Sequence, residues 1–123
     1  MITHPRTEEL AQSVALWLEQ IRPSLDPRNA FLARVAANAM ATIGREITLG
    51  PAAEAQAVHL MGDVLGRSGT HAELNSELCE RIRSGELTAG TPRLLAALTV
   101  MARDQIAIDQ PRYQPEGTPA PTP

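Results

Sequence analysis

The chain has 123 residues, a formal net charge of −3 and a single cysteine, so it fits one domain, lacks the basic footprint of a nucleic-acid binder and cannot form an intrachain disulfide. Hydrophobic residues make up 43% but aromatics only 2%, which requires a core of Leu, Ile, Val, Met and Ala and, with so much alanine, favours closely packed helices. All 11 basic residues are arginine, which removes a Schiff-base lysine, a lysine nucleophile and the usual phosphate-loop lysine in one step.

The first helix is expected to start at Thr7 as N-cap, with Glu8 and Glu9 at the positive end of its dipole and Pro23 stopping it. Leu10, Val14, Trp17, Leu18 and Ile21 fall on one face at helical spacing. Asp26 followed by Pro27 opens a second helix running to about Leu49, before Gly50, and Pro51 opens a third through Leu65. In the third, Val58, Met61 and Leu65 share a stripe, with Gln56, His59 and Asp63 opposite. After the turn "GRSGT", Thr70 with Glu73 reads as a capping box for a fourth helix that buries Leu74, Leu78 and Ile82 and stops at Gly85. Thr91 with Pro92 repeats the cap-plus-proline signal for a fifth helix ending before Pro111. Beyond Tyr113, "QPEGTPAPTP" has nothing to bury and reads as a disordered tail over 114–123. The pattern predicts an all-α fold: one compact bundle of about five helices over 1–113.

Neither a run of transmembrane length nor the charged-then-apolar layout of a signal peptide occurs, the opening being "MITHPRTEEL". With cysteine so scarce, a cytoplasmic location is expected, with neither membrane nor nucleic acid as partner. Catalytic patterns fail one by one. His4, His59 and His71 do not converge by local spacing. "HAE" at His71 to Glu73 begins like a zinc-deaminase signature, but only Cys79 follows where a pair of cysteines is needed. "GDVLGRS", Gly62 to Ser68, is one residue short of a phosphate loop, has Arg for Lys and follows a helix instead of a strand. Glu54 and His59 are five apart, on different helix faces, so a di-metal carboxylate bundle is unsupported. Cys79 has only Arg83 nearby to activate it, and no serine stands in a nucleophile elbow. No catalytic residue, metal ligand or cofactor is assigned.

What remains is a polar set inside "FLARVAANAMATIGREI", Phe31 to Ile47. At about 100° per residue, Leu32, Val35, Ala36, Ala39, Met40, Ile43 and Ile47 gather on one side, and Arg34, Asn38 and Arg45 opposite. Ala30, Ala33, Ala37, Ala41 and Gly44 form a third, small-residue flank suited to close helix packing. A helix apolar on one side and small on another is expected near the centre of the bundle, its large aliphatics in the core. Arg34 and Asn38 would then need partners, with Asn75, Asp104, Asp109 and Glu46 as candidates. Three alternatives stay open: a structural polar network, a solvated face, or a binding site for an anionic group formed by Arg34, Asn38, Arg45 and Asn75.

"FLARVAANAM" with the following "GREI", then Leu74 and Asn75, "RIRSGE" and "QPRY", resembles a bacterial domain of unknown function across Leu10 to Tyr113. Members of that family stand beside, or are fused to, aminoglycoside-phosphotransferase-like kinases, often with acyl-CoA dehydrogenases nearby. The resemblance brings no catalytic residues. It implies an accessory role near such a kinase or acyl-CoA metabolism, and with it a non-catalytic interaction module, self-associating or docking a kinase-like partner. The competing expectation is a small-molecule domain or minor enzyme built on the arginine cluster.

Overall fold

The structure is a computed structural model describing residues 5–113. Four α-helices are present among them, α1 (Thr7–Ile21), α2 (Pro27–Leu65), α3 (His71–Arg83) and α4 (Leu94–Asp109), with a short 3₁₀ turn at Arg22–Ser24 and no strand. The all-α expectation holds. The count of about five helices does not, because the segments expected to part at Gly50 and Pro51 form one helix, α2, with Pro51 inside it. Proline removes one backbone donor and crowds the carbonyl four residues back. Everything after it is in register to continue, since Ala52, Ala53, Ala55 and Ala57 are strong helix formers. Proline is also tolerated where a new first turn would begin. The expected tail over 114–123 lies outside the described residues.

The chain divides into two compact units, Met1–Pro51 and Ala52–Pro123, so the boundary falls at that proline. In the first unit, α1 and the N-terminal part of α2 form a helical hairpin. Glu9 fixes the start of α1 by accepting hydrogen bonds from the Arg6 backbone N–H and Nε, both at 3.2 Å. The N-cap is therefore Arg6, one residue before the expected Thr7. Asp26 caps α2 as its sequence suggests. Its carboxylate accepts from Asn29 Nδ2 at 2.6 Å and from the Asn29 backbone N–H at 3.4 Å, and these bonds hold it below its ordinary pKa of 3.8.

The hairpin closes through small residues. A Cβ placed on Gly44 would lie 3.9 Å from Ala11 Cβ and 4.0 Å from the Glu8 carbonyl oxygen, so α1 crosses α2 at backbone distance there. Ala11, Ala33 and Ala37 are the fully buried apolar residues of this unit among those described. The small-residue flank of α2 is thus the packed one. The large-aliphatic side, expected in the core, is not: Leu32, Val35 and Ile43 are each about half exposed. Where Ala11 meets Gly44 the two helices approach too closely to enclose larger side chains between them.

The second unit has the core that the first lacks. Ala57, Met61, Leu65, Leu74, Leu78, Leu87 and Leu94 form one buried cluster, with Val58, Val64, Leu98 and Met101 packed against it. Met61 and Leu74 are completely enclosed. Gly66, at φ 71°, ends α2 in the left-handed conformation, and the Gly66 and Arg67 N–H groups both donate to the Gly62 carbonyl, at 2.8 and 3.2 Å. Thr70 Oγ1 accepts from the Glu73 N–H at 3.2 Å and starts α3; Gly85, at φ 81°, follows its end. Thr91 and Pro92 do not start α4. Thr91 Oγ1 instead accepts from the Thr88 N–H at 2.9 Å, closing a turn, and the helix begins at Leu94 after Arg93 at φ 71°.

Candidate functional site

The polar row of α2 proves to be an outward face. Arg34 and Asn38 are exposed, and neither side chain makes a hydrogen bond or ion pair among the described residues. Arg45 is half-buried and donates from Nη2 to Thr42 Oγ1 at 3.1 Å, while Thr42 Oγ1 donates to the Asn38 carbonyl at 2.9 Å. Arg45 and Asn38 are therefore linked through Thr42 along one helix face. Asn75 is exposed on α3, in the second unit. The other candidate partners are engaged or solitary: Asp109 accepts from Gln105 Nε2 at 2.9 Å, Glu46 folds over Gly50, and Asp104 encloses an Oδ2 that accepts no hydrogen bond among the described residues.

A hollow of about 570 Å³ opens in the second unit beside Val58, His59, Gly62, Asp63, Arg67 and Ser68. It contains none of Arg34, Asn38, Arg45 and Asn75. Its charged groups are turned on one another or on the helices: His59 Nε2 stands 3.5 Å from Asp63 Oδ2, and Arg67 Nε stands 2.8 Å from Glu77 Oε2. Glu77 also accepts from Arg81 at 3.2 Å. "GDVLGRS" is the end of α2 and its cap. No group of three or more His, Cys, Asp or Glu that could hold a metal ion occurs among the described residues. No described helix is long and apolar enough to cross a membrane.

The distinctive surface lies on the first unit. The seam of α1 follows Ala11, Ala15 and Leu18, and its Leu10, Val14, Trp17 and Ile21 stripe lies about 100° away. On α2 the large-aliphatic side lies about 120° from the small-residue seam. Because the two helices run antiparallel, both rotations carry the apolar stripes to the same side of the hairpin. Leu10, Val14, Trp17, Leu32 and Ile43 are between 43% and 57% exposed there. Half-buried Leu18, Ala36, Met40 and Ile47 lie between the two stripes. Sequence periodicity finds each stripe but reads it as core. The signal that separates them is the seam: the Ala and Gly flank of α2 meets α1 at Ala11, leaving Leu10, Val14, Trp17, Leu32 and Ile43 about half exposed.

No curated protein and no solved structure matches the chain. A domain of unknown function, DUF6285, matches residues 23–113, which include α2, α3 and α4 and leave α1 outside. On that match, which spans most of its length, the chain belongs to the DUF6285 family.

Proposed function

We propose that this protein is a non-catalytic accessory module of the bacterial cytoplasm that acts by protein–protein interaction, in association with a phosphotransferase-like kinase or with acyl-CoA metabolism. The observation that carries the reading is the two-helix apolar face of the first unit, where Trp17 is 57% exposed and Leu10 52%. Contiguous apolar surface of this kind on a protein marks an interaction site. The arginine row supports the alternative of an anionic-ligand domain less well. Arg34, Asn38 and Arg45 lie along one convex helix face, whereas small-molecule sites are concave.

Sedimentation of the protein with the phosphotransferase-like kinase of the same bacterium, each at about 50 μM, tests the reading. The expected result is association, of the chain with the kinase or with itself, weakened by a charge at Ile43 and unchanged by Arg34→Ala. Absence of any association, or association lost with Arg34→Ala and kept in Ile43→Glu, refutes it.

A further inference from the structure

We infer that the apolar face of the first unit is covered by the same face of a second copy of this chain, so that two hairpins close into a four-helix core. This inference rests on the interaction reading above and names the occupant of its surface.

The first argument is the poverty of the hairpin's own interior. Its fully buried apolar side chains are Ala11, Ala33 and Ala37, among the described residues. Burying three methyl groups contributes only a few kcal/mol, and ordering the backbone of a helical hairpin opposes folding by about 1–2 kcal/mol for every residue. A unit spanning Met1–Pro51 is of a size at which a single core is marginal. The large side chains that would supply the missing burial are present, but they point outward: Leu10, Val14 and Trp17 from α1, Leu32 and Ile43 from α2.

The second argument is area and composition. Five side chains about half exposed present on the order of 400–500 Å² of apolar surface, and the half-buried Ile21, Met40 and Ile47 extend it. A standard interface takes about 800 Å² from each partner, including a polar rim. The face therefore matches the apolar centre of one such interface. No charged side chain stands between the Leu10, Val14, Trp17 row and the Leu32, Ile43 row, while exposed Arg28 and Glu46 share the outer Val35–Ala39 edge of the α2 stripe as a polar margin, so two copies meet without burying an unpaired charge at the centre. The face is a shallow trough between two antiparallel helices, and a two-fold axis in its plane lays ridge against trough on both sides at once, as in four-helix bundles. An apolar surface with no charge at its centre carries nothing there to select a charged partner, and self-pairing is the closure that such a surface supplies for itself.

Trp17 is the chain's single tryptophan and stands within the face, which makes the test direct. Sedimentation of the full chain between about 1 and 100 μM should give a dimer at the upper end. Trp17 emission should move to longer wavelength on dilution as the dimer parts, with 222 nm ellipticity falling in step. Ile43→Glu should raise the dissociation constant by at least about 100-fold, because each interface would enclose two unpaired carboxylates, and Ile43→Leu should leave it within a few-fold. A wild-type monomer at 100 μM overturns the inference, whatever the variants do. So does a dimer that Ile43→Glu leaves intact while Trp17 emission stays constant on dilution, since the contact then lies elsewhere. If the wild type is monomeric but binds the phosphotransferase-like kinase with burial of Trp17, the second copy is excluded and the interaction reading stands. If nothing binds, both fall.

Discussion

Alanine placed at two glycines of the same helix should change stability in opposite directions. At Gly44 a new Cβ would rest 3.9 Å from Ala11 Cβ and 4.0 Å from the Glu8 carbonyl, ordinary contact distances. Exchanging a mid-helix glycine for alanine gains about 1 kcal/mol of helix propensity, and the methyl group adds contact with Ala11 at the seam. Gly44→Ala should therefore stabilise the first unit by about 1 kcal/mol. At Gly62 the same propensity gain is available, but the Cβ would lie 2.9 Å from the carbonyl oxygen of Arg67. That oxygen belongs to backbone whose own N–H is tied to the Gly62 carbonyl at 3.2 Å, so it cannot move without opening the cap. Overpacking of this kind costs about 1–3 kcal/mol, and Gly62→Ala should destabilise by up to about 2 kcal/mol once the propensity gain is set against it. Urea titration followed by Trp17 emission reports the first unit, and ellipticity at 222 nm reports both. With slopes of about 1–3 kcal/mol per molar urea, Gly44→Ala should raise the Trp17 midpoint by roughly 0.3–1 M. A lowered midpoint would show that α1 does not cross α2 at Gly44. Stabilisation by Gly62→Ala would show that the Arg67 carbonyl does not fold back over it.

Three further outcomes are expected. Leu74→Ala, at a fully enclosed site in the core of the second unit, should cost about 2–5 kcal/mol in the ellipticity transition, and a loss below 1 kcal/mol would mean that the site is not closed. Arg93→Gly should stabilise by about 1 kcal/mol, because Arg93 holds φ 71° ahead of α4, where a Cβ is strained and glycine is not; thermal melting is the measurement. Asp26 is held below its ordinary value of 3.8 chiefly by the Asn29 side-chain bond, so its capping contribution is complete above that value and lost as pH falls through the lower folded-state pKa. Between pH 5 and 2 the stability of wild type should therefore fall more steeply than that of Asp26→Asn, and parallel profiles would count against the cap.

Helix existence was legible where caps and periodicity agree. Asp26 and Pro27 mark the start of α2, and Thr70 marks α3, because a side-chain acceptor beside the first turn satisfies donors that nothing else reaches. Two other signals misled for a physical reason. Thr91 and Pro92 have the right chemistry for a cap, yet Thr91 Oγ1 closes a turn with the Thr88 N–H and Arg93, at φ 71°, interrupts the helical backbone between Pro92 and Leu94. Gly50 and Pro51 look like a stop, but the four alanines within the six residues after Pro51 carry α2 onward. The same pair nevertheless marks where one compact unit gives way to the next. It was informative about packing and misleading about the backbone.

The candidate site was harder to read because α2 has three kinds of side in its first half. Periodicity shows that Leu32, Ile43 and their neighbours share a side, and that Arg34 and Asn38 share another. It does not show which non-polar side meets α1. That depends on the partner, and α1 presents Ala11 and the Glu8 backbone carbonyl at the crossing, where only a small residue such as Gly44 can meet them. Once Ala11 packs at Gly44, rotation about both helices is fixed, and the large aliphatics of each are turned away from the seam by about 100° or more. Arg34 needs no buried partner for the same reason: its side of the helix is turned to solvent by the choice of seam. Substituting one seam alanine by leucine, at Ala37, would therefore do more than overpack a contact. It would rotate or part the hairpin and scatter the apolar face. On the dimer inference, self-association should then fail with a variant that leaves every residue of the face unchanged.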